Sequence, residues 1–253
     1  MEEVALHPHR SRYWLNPKID DPVEHQAAVA QVCEIYEQAP ALATQGVHVV
    51  SCDEKTGIQA LELAAPTRPA RPGQDEKREF EYIRHGTLCL IASLMVVTGQ
   101  VIEPTVGPTR TEEDFCAHLK KTVATDPRAG WIFVVDNLNT HCSESLVRWV
   151  AELEGLHDLG TKGQDGILHN MQSRSAFLSE PAHRVRLVYT PKHCSWLNQV
   201  EIWFSILARR ALKRASFRGT EELGKALLAF IEYFNQVLAK PFRWTYKGRP
   251  LTT

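Results

Sequence analysis

The stretch WIFVVDNLNTH, residues 131–141, decides the fold. Trp131 to Val135 is an unbroken apolar run that stops at Asp136. A strand with no polar alternation is buried on both faces, as in a sheet covered by helices on either side. A carboxylate at the end of such a strand is costly unless something pairs with it.

Two further acids occupy comparable places. VHVVSCD, residues 47–53, is a second apolar run and ends at Asp53. Glu201 lies inside TPKHCSWLNQVEIWFSIL, residues 190–207, which reads as a turn leading into an amphipathic helix. Leu197, Phe204 and Ala208 stand at i−4, i+3 and i+7 from Glu201, so the acid shares a face with apolar residues. On the residues alone, Glu201 is either a cation ligand or a glutamate at the edge of the stripe, reaching solvent or an arginine. Three carboxylates so placed suggest a divalent metal site, and with it phosphoryl chemistry.

Working outward, Asp20-Asp21-Pro22 opens a helix to about Glu37, with an acidic cap and proline in the first turn. Val47 to Asp53 is a strand, Glu54-Lys55-Thr56-Gly57 a turn and Ile58 to Leu63 a second strand, so a hairpin is expected. Residues 66–79 are rich in proline and charge and read as an exposed loop. Thr87 to Val97 and Val101 to Val106 are strands. A helix runs from Thr111 to about Thr125, and another from Ser143 to about Leu153. Residues 155–183, polar and Gly-rich, read as a flexible insertion. Arg184 to Tyr189 is a strand, Trp196 to about Arg214 a helix, and Gly219 to about Leu238 the last helix. A strand meander followed by alternating helix and strand predicts an α/β domain with a mixed sheet and helices on both faces. Ligands in such sheets sit beyond the carboxyl ends of the strands, where Asp53 and Asp136 are.

The 253 residues carry a formal net charge of −1, so any contact with nucleic acid must come from local patches. The best patch is Arg209, Arg210, Lys213 and Arg214, with Arg218 nearby. A helix C-terminus favours cations in any case, and that explains the run equally well. The six cysteines have no metal-binding spacing and read as buried thiols of a reducing compartment. No apolar leader and no stretch of 18 apolar residues occurs, so the expectation is a cytoplasmic protein without a membrane partner. The glycines at 160, 163 and 166 match no phosphate-binding loop.

Several stretches together resemble the bacterial insertion-sequence branch of the mariner-type DDE transposases. They are PHRSRYWLNPK (8–18), CDEKTGIQAL (52–61), YIRHGTLCL (82–90), VVDNLNTH (134–141), TPKHCSWLNQVEIWF (190–204) and AKPFRWTYKG (239–248). The resemblance implies the ribonuclease-H-like fold. It places the family's two aspartates on Asp53 and Asp136 and its final glutamate on Glu201, as both catalytic residues and metal ligands. It implies two Mg2+ ions, with Mn2+ able to substitute, Asp53 bridging them, and cleavage and strand transfer on double-stranded DNA at transposon ends. It also implies a homodimer. Arg209, Arg210, Lys213 and Arg214 are then the candidate DNA contacts.

The expected layout is a linker remnant over 1–20 and a catalytic domain over 21–253, with the insertion at about 155–183 and a basic tail from about 240. Full-length members carry helix-turn-helix modules ahead of this domain, and that region is expected to be absent here. Glu201 follows Asp136 by 65 positions, about twice the usual spacing, and the insertion accounts for the excess. Two other readings are a truncated, non-catalytic remnant acting by dimerisation or DNA binding, and another ribonuclease-H-like nuclease.

Among neighbouring residues, Glu54 is expected to face away from Asp53 and to be structural or solvent-facing. His141 reads as a surface or helix-capping residue, the alternative being a role in orienting water or DNA near the metals. Asn198 either caps its helix or hydrogen-bonds a carboxylate ligand. Trp196 and Trp203 read as core anchors, the alternative being platforms on which bases stack. The tail residues Arg243, Trp244, Tyr246, Lys247 and Arg249 bind DNA or pack on another subunit.

Overall fold

A computed structural model describes residues 19, 21–77 and 79–246. The proposed linker, Ile19 apart, and the tail residues Lys247 and Arg249 lie outside the described residues.

Five strands form one mixed sheet in the order β3-β2-β1-β4-β5. They are β1 (Val47–Leu63), β2 (Tyr82–Met95), β3 (Val101–Gly107), β4 (Gly130–Val135) and β5 (Val185–Tyr189). β1, β2 and β3 are antiparallel neighbours, whereas β4 runs parallel to both β1 and β5. One face carries α2 (Glu112–Val123), α3 (Glu144–Leu153) and α4 (Met171–Leu178) over Val50, Cys52, Phe133 and Leu187. The other carries α1 (Pro22–Thr44) over Val49, Ile132 and Val134. On that face α5 (Gln199–Leu207) and α6 (Thr220–Tyr233) cover Ile58, Leu90 and Leu94. The apolar run 131–135 is therefore buried on both sides, as its composition requires.

The expected hairpin at 54–57 does not exist. Val47–Leu63 is one long strand with irregularities between Lys55 and Ile58 and between Gln59 and Leu61. Gly57 takes φ +63°, which lets the chain bulge instead of reversing. The first helix also outruns its expected end and continues through Pro40 to Thr44. An internal proline costs a hydrogen bond and crowds the preceding turn, by about 3 kcal/mol. Burial of Val32, Ile35, Tyr36 and Ala39 on the sheet offsets it.

The segment 155–183, expected to be a flexible insertion, is not a loose loop. Leu159, Leu168 and Leu178 from this segment are buried in the core beside α3. Gly160 and Gly166 are close-approach positions: a Cβ on Gly160 would lie 2.4 Å from the Asp165 carbonyl oxygen. The described part of the tail folds back on its own chain. The Trp244 ring meets Tyr36 at 4.9 Å and the Tyr246 ring meets Trp196 at 5.0 Å. Trp203 is fully buried, but Trp196 is half exposed and is no core anchor. Among the described residues no helix is long and apolar enough to cross a membrane.

Candidate active site

β1 and β4 pair in parallel with Ser51 opposite Val134. Continued two residues further, that register sets Asp53 level with Asp136, where β4 has ended and β1 runs on. Ser51 and Asp53 point to the face of α5, since their β2 partners are Leu94 and Ala92. Cys52 and Glu54 point to the face of α2 and α3, opposite Ser93 and Ile91.

Asn198 ties α5 to this point of the sheet. It stands at the N-cap position but makes no side-chain cap bond. Its Nδ2 donates to the Cys52 carbonyl at 3.0 Å and to Asp53 Oδ2 at 3.3 Å, and its Oδ1 accepts from Ser51 Oγ. Ser51 Oγ in turn accepts from the Val200 amide at 2.8 Å. Of the two sequence readings of Asn198, contact with a carboxylate is the correct one. The other oxygen of Asp53, Oδ1, accepts from the Glu54 amide at 2.7 Å.

Asp53 is 7% exposed. Burial, with the facing negative charge of Asp136 adding to it, lifts its carboxyl from the ordinary 3.8 to about 7. Asp136 behaves oppositely. Burial works to raise it, but the hydrogen bond and positive charge of His141 outweigh that and hold it below its ordinary value. The two carboxylates thus differ because His141 pairs directly with Asp136, whereas at Asp53 its charge is the smallest influence and burial prevails.

The cationic partner is not where the sequence pattern puts it. His141 is fully buried, neither a surface residue nor a cap. Its Nδ1 lies 2.8 Å from Asp136 Oδ1 and its Nε2 lies 2.9 Å from Glu54 Oε2. Both ring nitrogens face carboxylates, and the pair holds the imidazole protonated. Burial opposes the charge, yet the hydrogen bonds to Asp136 and Glu54 raise its pKa to about 10. The ring packs on Phe115 at 4.1 Å, and the Tyr189 hydroxyl donates to the His141 carbonyl at 2.9 Å. Glu54 is not solvent-facing: its side chain is 1% exposed. Alternation correctly placed it opposite Asp53, but that face is covered.

Glu201 sits in the first turn of α5, three residues beyond Asn198, with an exposed side chain. Leu197 and Phe204 are buried, so Glu201 lies at the edge of the apolar stripe, not within it. Among the described residues no group of three or more His, Cys, Asp or Glu is close enough to hold a metal ion. Asp53 and Asp136 come together; Glu201 stays apart from them. The two aspartates nevertheless suit a hard divalent cation. They offer carboxylate oxygens, and Asp53 is buried against a like charge with no cation of its own.

Arg209, Arg210, Lys213 and Arg214 are exposed and line an open depression of about 510 Å³. They sit on a π-helical turn, Ala208–Leu212, and the residues just after it.

The family model described as DDE superfamily endonuclease matches residues 48–224, well over half of the chain. No curated protein sequence matches. Among solved structures, the Mos1 mariner paired end complex with Mn matches with a TM-score of 0.54 and 14% identity, over 88% of this chain and 59% of that one. A pre-cleavage Mos1 transpososome matches with a TM-score of 0.51 and 14% identity, over 88% and 59%. The chain thus spans about three-fifths of the length of those Mos1 chains. At that identity the likeness is one of fold, the ribonuclease-H-like fold. With Asp53 on β1 level with Asp136 just past the end of β4, and with the family model covering residues 48–224, the chain belongs to the DDE superfamily endonuclease family.

Proposed function

We propose that this chain is the catalytic domain of a DNA transposase that cleaves and rejoins strands at transposon ends. The observation that carries the reading is the approach of Asp53, on β1, to Asp136, just beyond the end of the neighbouring parallel strand β4, with Asp53 buried against that like charge. Family membership and the fold shared with the Mos1 complexes support it.

Asp53 and Asp136 would hold Mg2+ or Mn2+, with Glu201 completing the set. A bound pair of such ions supplies an activated oxygen nucleophile and neutralises charge building on the phosphate. The chain's own part is to fix the ligands. Asn198 and the Glu54 amide pin both oxygens of Asp53. The Leu138 amide, 3.0 Å away, and His141 pin Oδ1 of Asp136. Glu201 is exposed on a helix whose start is anchored beside Asp53, and it would have to move towards the two aspartates to complete the set. Arg209, Arg210, Lys213 and Arg214 would bind the DNA backbone, since phosphate contacts position a duplex without reading its sequence. A homodimer acting on paired ends is part of the same proposal.

The test is cleavage of supercoiled plasmid with Mg2+ or Mn2+, comparing wild type with Asp53→Asn, Asp136→Asn and Glu201→Gln. Nicking that needs metal and disappears in all three supports the reading. Metal-dependent nicking that survives Asp136→Asn contradicts it.

A further inference from the structure

Glu54 and His141 form a buried ion pair for which the packing of the core gives no reason. The imidazole is fully buried and the Glu54 side chain is 1% exposed. Glu54 Oε2 takes one hydrogen bond from the ring, while its Oε1 is buried without a hydrogen-bond partner among the described residues. Such a pair is a poor way to gain stability, because desolvation offsets the attraction and an unpartnered oxygen adds its own penalty. An apolar pair of the same volume, beside Phe115, would serve the fold at least as well.

The pair instead controls how Asp136 is presented. Two groups converge on Oδ1 of Asp136: the Leu138 amide donates to it at 3.0 Å, and His141 Nδ1 lies 2.8 Å away as its ion-pair partner while also donating to the Asp136 backbone carbonyl at 3.0 Å. Oδ2 has no hydrogen-bond partner among the described residues, and the side chain is 35% exposed. One oxygen is held, and the other is left without such a bond on a side chain that keeps a third of its surface exposed. Glu54 matters because it occupies Nε2. With both ring nitrogens facing carboxylates, the ring cannot flip without losing two bonds, and Nδ1 is obliged to be a donor. The ring is further wedged by Phe115, and its backbone is held by the Tyr189 hydroxyl.

We propose that His141, held in place by Glu54, is a positioning residue that fixes Oδ1 of Asp136 and leaves Oδ2 as the oxygen offered to a divalent cation. This rests on the reading of Asp136 as a metal-binding acid. Partners that orient a metal ligand typically affect metal affinity or activity by about 10- to 100-fold.

The experiment is a Mn2+ titration followed by the electron paramagnetic resonance of free Mn2+, on the DNA-free protein. Plasmid nicking is measured across the same Mn2+ range. Wild type, Asp136→Asn, Glu54→Gln and His141→Gln are compared, with near-UV circular dichroism as the check of folding. Glu54→Gln and His141→Gln should each weaken Mn2+ binding by about 10-fold or more and move nicking to higher Mn2+, with the rate recovered at saturating metal. A merely structural role would lower the plateau with the folded fraction and leave the half-saturating Mn2+ in place. A folded variant of either kind with wild-type Mn2+ binding, while Asp136→Asn binds weakly, overturns the positioning role alone. Wild-type Mn2+ binding by Asp136→Asn would overturn the metal reading of Asp136 and this proposal with it. The two positioning variants remove opposite ends of the pair, so loss of folding in one leaves the other to decide.

Discussion

Asn198 Nδ2 lies 3.3 Å from Asp53 Oδ2 and 3.0 Å from the Cys52 carbonyl oxygen, so one buried amide binds the start of α5 to the strand that carries the acid. With Ser51 Oγ donating to Oδ1, the amide is satisfied at both ends. Replacing Asn198 by Ala leaves the Cys52 carbonyl and the Ser51 hydroxyl without these partners. We expect a loss of roughly 2–4 kcal/mol in urea unfolding. Nicking should fall further than the folded fraction does, because α5 also carries Glu201. Asn198→Ala with unchanged stability would show that the anchor is dispensable.

Asp53 should be a stability defect in the absence of metal. Its folded-state pKa is about 7 against the ordinary 3.8, so the fold disfavours its charged form. Its contribution is full below about 3.8 and is lost as pH rises to about 7. Asn mimics the protonated acid and does not titrate. In EDTA at pH 8, Asp53→Asn should melt above wild type, by an amount on the order of 1–3 kcal/mol. Mn2+ should raise the Tm of wild type and leave the variant nearly unmoved. Equal melting of the two proteins in EDTA contradicts this.

His118 gives a separate pH dependence. It is buried, with its ring nitrogens 2.8 Å from Ser93 Oγ and 2.9 Å from Thr105 Oγ1. Burial, helped by the Lys121 charge, pulls its pKa from 6.5 down to about 3. The folded state therefore binds fewer protons than the unfolded state between those values. Its contribution is present above about 6.5 and lost as pH falls towards 3. From pH 7 to pH 5, wild type should lose about 2 kcal/mol more stability than His118→Gln, measured by urea unfolding. Parallel pH profiles would mean that His118 ionises freely in the fold.

The basic run should act through charge alone. Arg209, Arg210, Lys213 and Arg214 are exposed, so Gln at all four should leave the Tm nearly unchanged. Duplex binding should weaken evenly across sequences, and the salt dependence should flatten by roughly one unit of slope per lost phosphate contact. An unaltered salt slope would move the DNA interface elsewhere.

The sheet was legible because an unbroken apolar run such as 131–135 has few alternatives, and the two aspartates were legible because they end such runs. The hairpin was not, since Glu54-Lys55-Thr56-Gly57 carries the same residues for a turn as for a bulge within one long strand. Glu54 shows the limit of strand alternation. Periodicity says which side a residue takes, not what covers that side, and here α2 and the turn holding His141 cover it. His141 and Glu54 stand 87 positions apart, a separation that no local pattern spans. Glu201 was placed on an apolar face by helical spacing, but only Leu197 and Phe204 of that face are buried. Trp196 failed as a core anchor for a similar reason: it precedes α5, in a short turn whose outer side is left to solvent and Tyr246.

The most direct test of the proposed metal site is the anomalous diffraction of crystals of this chain soaked in Mn2+. A Mn2+ peak should appear in contact with both Asp53 and Asp136 and be absent in Asp136→Asn crystals grown and soaked in the same way. No peak at the two aspartates, with Mn2+ bound elsewhere on a folded molecule, would contradict it.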